Sequence, residues 1–186
     1  MHKYNIIYAD PPWAYRGATG RGSAVDHYPT MKTADICALD VASIAADDCA
    51  LFMWATFPNL QAAFAVIEAW GFKYITVGFC WAKDNRVSPG WHMGMGRWTR
   101  SNAEVCLFAT KGRPVRRSAA VSSLVVAPVG RHSAKPAEVR GRIVDLLGDL
   151  PRVELFAREN TDGWDVWGND ASLAQTCPSL PTSISA

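Results

Sequence analysis

Residues 4–13 read Tyr4-Asn5-Ile6-Ile7-Tyr8-Ala9-Asp10-Pro11-Pro12-Trp13. The β-branched and aromatic run over 4–9 predicts a short strand, and the proline pair ends it. Working outward, residues 50–54, Ala50-Leu51-Phe52-Met53-Trp54, predict a second apolar strand. Asn59 is placed to cap a helix over Leu60–Trp70, closed by Gly71. Apolar positions 60, 63, 64, 67 and 70 follow the helical period. Further strands are predicted at 73–82, 103–110 and 153–157. Thr33 or Asp35 can start a short helix near 34–45. Pro136 suits the first turn of a helix reaching Leu147, with Val139, Ile143, Leu146 and Leu147 as its apolar stripe. Strands alternating with crossover helices predict one α/β domain with a mainly parallel sheet and flanking helices. The domain is expected over 1–170, and the Ser-, Thr- and Pro-rich residues 171–186 are expected to form a flexible tail.

Composition bounds the function. The 186 residues are 49% hydrophobic and 19% charged, enough apolar content for a substantial core. The formal net charge is +2, so any phosphate contact must come from local basic clusters. The five cysteines, Cys37, Cys49, Cys80, Cys106 and Cys177, include no Cys-x-x-Cys and no metal-ligand spacing. A reducing cytoplasm and no metal are expected. No window approaches 18 uninterrupted apolar residues, so no membrane span is expected. Eight tryptophans are many, and several lie beside Gly or Pro, where flat rings suit base stacking.

In a parallel sheet, ligands bind beyond the carboxyl ends of the strands. Asp10 to Trp13, Thr56, Lys83 and Arg158 to Asn160 follow predicted strand ends and should share one edge. Asp10-Pro11-Pro12-Trp13 also carries chemistry. The exocyclic N6 of adenine is a poor nucleophile, because its lone pair is delocalised into the ring. A carboxylate accepting one N6 hydrogen and a backbone carbonyl accepting the other would turn that lone pair toward a methyl donor. Prolines fix the carbonyl directions, and an adjacent aromatic ring can stack the base. An ordinary strand-to-turn junction would carry the same four residues.

Several further segments narrow the reading. Asp10-Pro11-Pro12-Trp13 resembles the signature of the DPPW-type adenine N6-methyltransferases. That family includes the catalytic subunit of the eukaryotic mRNA adenosine methyltransferase and many bacterial and phage DNA enzymes. The resemblance runs over residues 4 to 170. It continues through Tyr28-Pro29-Thr30-Met31, Leu51-Phe52-Met53-Trp54 and Trp81-Ala82-Lys83. It also takes in residues 96–104, which end at Glu104, and His132-Ser133-Ala134-Lys135-Pro136. Glu154-Leu155-Phe156-Ala157-Arg158 and Gly168-Asn169 match the cofactor end. The resemblance implies a Rossmann-like methyltransferase fold in circularly permuted order, with the catalytic loop first and the cofactor strand late. There is no Gly-x-Gly-x-x-Gly, and the resemblance requires none.

It implies S-adenosylmethionine as cofactor, with Asp10, Lys135, Glu154, Arg158, Asn160 and Asn169 around it. Lys135 would meet its carboxylate and Asn169 its ribose hydroxyls. Glu154 and Arg158 have a plainer alternative as a structural ion pair. Trp13, Lys83, Arg97, Trp98, Arg100 and Glu104 are the candidate substrate contacts. Basic groups interleaved with aromatics in 83–101 suit phosphates and an unstacked base, although a solvated loop would look similar. DNA is favoured over RNA on the compact, single-domain form, and a homodimer is plausible for so small a chain. RNA remains the first alternative, and a non-catalytic binding partner of the same fold the second. The intact Asp and prolines argue against the latter. Methylation of a protein amide fits less well, since the site has Asp and Trp in place of Asn and Tyr. A cytosine-C5 enzyme would need a nucleophilic Cys beside Pro, and Cys177-Pro178 lies in the wrong order for it.

Overall fold

The computed structural model describes residues 3–14, 30–85, 88–94, 96, 98–130, 134–168, 177 and 180. One seven-stranded sheet organises them, in the order β5-β3-β4-β2-β1-β6-β7. The strands are β1 (Tyr4–Ala9), β2 (Ala45–Ala55), β3 (Lys73–Asp84), β4 (Ala103–Lys111), β5 (Leu124–Pro128), β6 (Arg152–Leu155) and β7 (Asp165–Trp167). The helices are α1 (Thr33–Cys37), α2 (Val41–Ile44), α3 (Leu60–Ala69) and α4 (Glu138–Leu147), with a 3-10 turn, Phe57–Asn59, leading into α3. Four pairings are parallel: β1 with β2, β1 with β6, β3 with β5 and β6 with β7. β4 runs antiparallel to both neighbours, β2 and β3. The mixed α/β domain with a mainly parallel sheet is the architecture expected from the sequence.

Strand alternation divides the core into two halves. Ile7, Ala9, Leu51, Met53, Leu107, Val153 and Leu155 face α1, α2 and α3, and pack with Val66, Ile67 and Trp70. Ile6, Tyr8, Phe52, Trp54, Phe79, Trp81 and Cys106 face α4, and meet its Val139, Ile143 and Leu147. β1 pairs β2 on one side and β6 on the other, and the helices that follow β1 and β5 lie on opposite faces. The gap beyond the carboxyl ends of β1 and β6 is therefore the crevice where this kind of sheet holds ligands.

Local structure departs from the expectation in five places. The helix near 34–45 is two pieces, α1 and α2. The Asp40 carboxylate accepts the Ser43 N–H at 3.2 Å and restarts the chain as a new helix. β2 begins at Ala45, ahead of the expected 50, because its exposed Asp47 and Asp48 continue the strand past the apolar run. β5 is an additional strand that the sequence pattern does not predict, because a half-exposed edge strand carries a weak apolar signal. β7 has three residues, too few for a periodic pattern. β6 stops at Leu155 instead of continuing to 157, because Phe156 takes a left-handed φ of 62°. Of residues 171–186, Cys177 and Leu180 are described, and both are buried in the α1–α3 half of the core. No helix among the described residues is long and apolar enough to cross a membrane.

Candidate active site

The site begins with the parity of β1. Ile6 and Tyr8 face α4, and Asp10 continues that alternation one step past the strand, its N–H donating to the Leu155 carbonyl at 3.4 Å. The two prolines then fold the chain back. Trp13 N–H donates to the Pro11 carbonyl at 2.9 Å, and Met31 N–H donates to the Pro12 carbonyl at 2.8 Å. Trp13 and Met31 also form a parallel bridge that ties the loop's return to its start. The Trp13 ring turns to the opposite face, where it is 6% exposed within the α1–α3 core. Its indole N–H donates to the Trp54 backbone carbonyl at 3.0 Å, and the Trp54 indole donates to Tyr8 Oη at 2.6 Å. Two buried hydrogen bonds thus anchor the Asp10–Trp13 turn to β2, and β2 back to β1. This placement makes Trp13 an anchor and leaves little of its ring for a base.

Around Asp10 the structure builds a line of alternating charge. Lys135 Nζ lies 2.9 Å from Asp10 Oδ1 and 3.0 Å from Oδ2. The same ammonium is 3.3 Å from Glu104 Oε2, and Lys83 Nζ donates to Glu104 Oε1 at 2.5 Å. Arg158 closes the other end, 3.7 Å from Asp10 Oδ2. Three cations and two carboxylates therefore span residues expected on both the cofactor and the substrate side. The antiparallel sense of β4 explains how Glu104 reaches this edge. Glu104 is at the start of its strand, and the start of β4 lies beside the ends of β2 and β3.

Electrostatics follow from this line. Burial works against the Lys135 charge, but Asp10 and Glu104 outweigh it and hold the ammonium well above the ordinary lysine range. Burial likewise works against the Glu104 carboxylate, but Lys135 and Lys83 prevail and hold it below the ordinary carboxylate range. Both groups stay charged at neutral pH. Lys135 also lies 5.8 Å from the centre of the Trp54 ring, and Lys83 5.0 Å from that of Trp81. The four are fixed together at the end of β2 and β3.

Glu154 stands apart from this line. It shares the α4 face with Tyr8, and Arg140 of α4 grips it through two hydrogen bonds of 2.6 and 2.9 Å. Glu154 is ion-paired, with Arg140 rather than Arg158 as its partner. Arg158 instead reaches Asp10. Its approach depends on the left-handed turn at Phe156, whose ring packs edge-on against Trp167 at 5.3 Å. A bulky residue in that conformation carries strain that is commonest at functional sites. Asn160 is exposed on the same edge, as are Trp98 and Arg100 on the β3–β4 loop. Asn169 and Arg97 lie outside the described residues, as does His132. Arg140, Tyr8 and Trp54 were not singled out as site support from the sequence. Only the parity of Tyr8 with Asp10 carries a signal for them. Among the described residues no group of three or more His, Cys, Asp or Glu could hold a metal.

Residues 4–170 match the MT-A70 family. Type II methyltransferase M.MunI of Mycoplasma sp is 41% identical, over 89% of this chain and 77% of that protein. A putative N(6)-adenosine-methyltransferase MT-A70-like protein of Medicago truncatula is 30% identical, over 92% of this chain and 27% of its own length. The N(6)-adenosine-methyltransferase catalytic subunit METTL3 of Homo sapiens is 28% identical, over 91% and 28%. The chain thus spans about three quarters of the first relative and about a quarter of the other two. Since the matched span runs from β1 past β7, it contains the Asp10 turn and every charge paired with it, and the chain belongs to the MT-A70 family of methyltransferases.

Proposed function

We propose that this chain transfers the methyl group of S-adenosylmethionine to N6 of adenine in DNA. The observation that carries the reading is the Asp10 carboxylate, held at the crevice between β1 and β6 and paired with Lys135. The residues present fit the cofactor's chemistry. Lys135 and Arg158 are cations for its carboxylate, and Asp10 is an anion for its ammonium. When bound, S-adenosylmethionine supplies an electrophilic methyl group. The chain's own work is orientation.

Asp10 accepts one N6 hydrogen of the adenine, and the Pro11 carbonyl accepts the other with the lone pair that Trp13 N–H leaves open. Lys135 would hold the cofactor carboxylate, and Glu104, 3.3 Å from its ammonium, fixes where that charge stands. Positioning of this kind, with charges already in place, is the usual source of rate in direct group transfer.

The likeness to M.MunI over 77% of its length supports DNA as the polymer. The N(6)-adenosine-methyltransferase relatives support RNA as a second reading, through a matched quarter of their chains. A transfer assay with labelled cofactor distinguishes the two. Single- and double-stranded DNA and RNA are offered, and the product is digested to nucleosides and identified by mass. N6-methyldeoxyadenosine is the expected product. N6-methyladenosine from RNA alone would move the polymer and keep the chemistry. Label on neither polymer, with cofactor bound, would overturn the reading.

A further inference from the structure

The loop between β3 and β4 leaves the sheet beside Lys83 and returns beside Glu104, at the edge that holds Asp10. Its base is pinned. Lys83 N–H donates to the Asn102 carbonyl at 2.8 Å, and His92 N–H to the Lys83 carbonyl at 2.9 Å. Further out, Gly94 and Ser101 exchange two backbone hydrogen bonds of 3.0 and 3.3 Å, which close a turn around residue 98. Arg100 donates to the Met93 carbonyl at 3.0 Å and braces the same turn. The glycines permit this closeness. A Cβ on Gly94 would stand 2.4 Å from the Ser101 carbonyl oxygen, and one on Gly96 would stand 1.7 Å from that of Thr99.

The pinned turn presents an indole to solvent. Trp98 is 95% exposed, and Trp91 and Met93 on the same loop are each 54% exposed. An indole held in water by a braced backbone is an apolar surface without an internal partner. A ring exposed on a loop rooted beside Glu104 suits a flat apolar partner such as the face of a base. The Asp10 carboxylate is largely buried, so it cannot reach N6 of an adenine still stacked in a duplex. The base must leave the stack, and the gap it leaves is best filled by a ring. Arg100, exposed on the flank of the loop, has the charge to meet a phosphate beside the base.

We infer that Trp98 is a duplex wedge, a positioning residue that enters the base stack of double-stranded DNA as the target adenine turns out toward Asp10. The inference rests on the reading of this chain as a DNA adenine methyltransferase and adds the form of DNA it is built to open. Aromatic character at the tip is the requirement, so Trp98→Phe should work and Trp98→Ala should not. Both changes are at the surface, where folding tolerates substitution.

The test compares transfer rates on three substrates built on one DNA sequence that the wild type methylates. They are a matched duplex, the same duplex with the target adenine mismatched, and the single strand. Trp98→Ala should lower the ratio of matched-duplex to single-strand rate by about tenfold, with most of it recovered on the mismatch, which opens more readily. Trp98→Phe should keep most of the ratio. With 2-aminopurine as the target base, wild-type binding should raise the fluorescence, and Trp98→Ala should not. Equal losses on all three substrates, or no loss on any, would overturn the wedge. So would a wild type that acts on single strands alone, and that result would leave the adenine chemistry standing. A wild type that methylates no DNA overturns the proposed function before any variant is made.

Discussion

Glu104 on β4 and Glu154 on β6 face the same side of the sheet, and each is 6% exposed. Their titration runs in opposite directions. Two lysines, Lys83 and Lys135, face Glu104 and hold it below the ordinary range. Burial pushes Glu154 above that range, and Arg140 only partly offsets it, with Asp10 and Glu159 adding to the rise. At equal burial, the local balance of cations sets the sign. The two also differ in what their partners can do. Arg140 grips Glu154 with two nitrogens, reaches the exposed Glu159 with the third at 3.5 Å, and acts as a brace between α4 and β6. Lys135 lies between two carboxylates, Glu104 and Asp10, in the charge line of the site. Glu154 ties α4 to β6, and Glu104 belongs to the line that leads to Asp10.

That contrast can be broken most forcefully at Asp10. Asp10→Asn should lower methyl transfer about a thousandfold, the scale expected when a hydrogen-bonding carboxylate is lost from the reacting atom. Next comes the brace. Arg140→Ala leaves Glu154 buried and uncompensated, and should cost about 3 kcal/mol of unfolding free energy in a urea titration. The rate per folded molecule should change little. The charge line should behave the other way. Glu104→Gln should cost about 2 kcal/mol or less, since the amide oxygen can still accept from one of the two lysines. It should depress the transfer rate more than Arg140→Ala does. The reverse ranking in both readouts would undo the distinction between brace and charge line.

Trp13→Phe removes the indole donor and keeps most of the ring. It should cost about 1 kcal/mol, the worth of one buried hydrogen bond. The rate should fall while cofactor affinity holds, because the turn that carries Asp10 loosens. An unchanged rate would make the Trp13–Trp54 bond irrelevant to the site. The smallest effect is in acid. Glu104 has a lowered folded pKa, so its contribution is present above the ordinary value of 4.5 and is lost as pH falls below it through the folded value. Glu154 has a raised folded pKa, so its contribution is present below 4.5 and is lost as pH rises from there through the folded value. Glu104→Gln should flatten stability against pH below 4.5, and Glu154→Gln should flatten it above. Chemical denaturation across that range measures both slopes.

Much of this was legible before the fold. β1 and the Asp10 turn follow from a β-branched run broken by two prolines, and α3 follows from its periodic stripe. The carboxyl-edge rule brought Asp10, Lys83 and Arg158 to one side. The pairings were another matter. Lys135 and Asp10 are 125 residues apart, and only the crossing of α4 over the sheet joins them. Glu104 meets Lys83 because β4 runs against its neighbours, and strand direction leaves no trace in a local pattern. Arg140 was invisible because a basic residue on an amphipathic helix normally faces water. Trp13 shows how a motif can be read correctly in place and incompletely in role. Its neighbour prolines turn the ring into the far half of the core, where its N–H finds a β2 carbonyl.

That the Asp10 carboxylate orients the nucleophile is tested by single-turnover transfer measured beside cofactor binding. Wild type and Asp10→Asn are loaded with labelled S-adenosylmethionine, affinity is taken by calorimetry, and the rate is followed after DNA is added. The account predicts that Asp10→Asn binds the cofactor within about tenfold of wild type and transfers its methyl group about a thousandfold more slowly. Transfer by Asp10→Asn at the wild-type rate would contradict it.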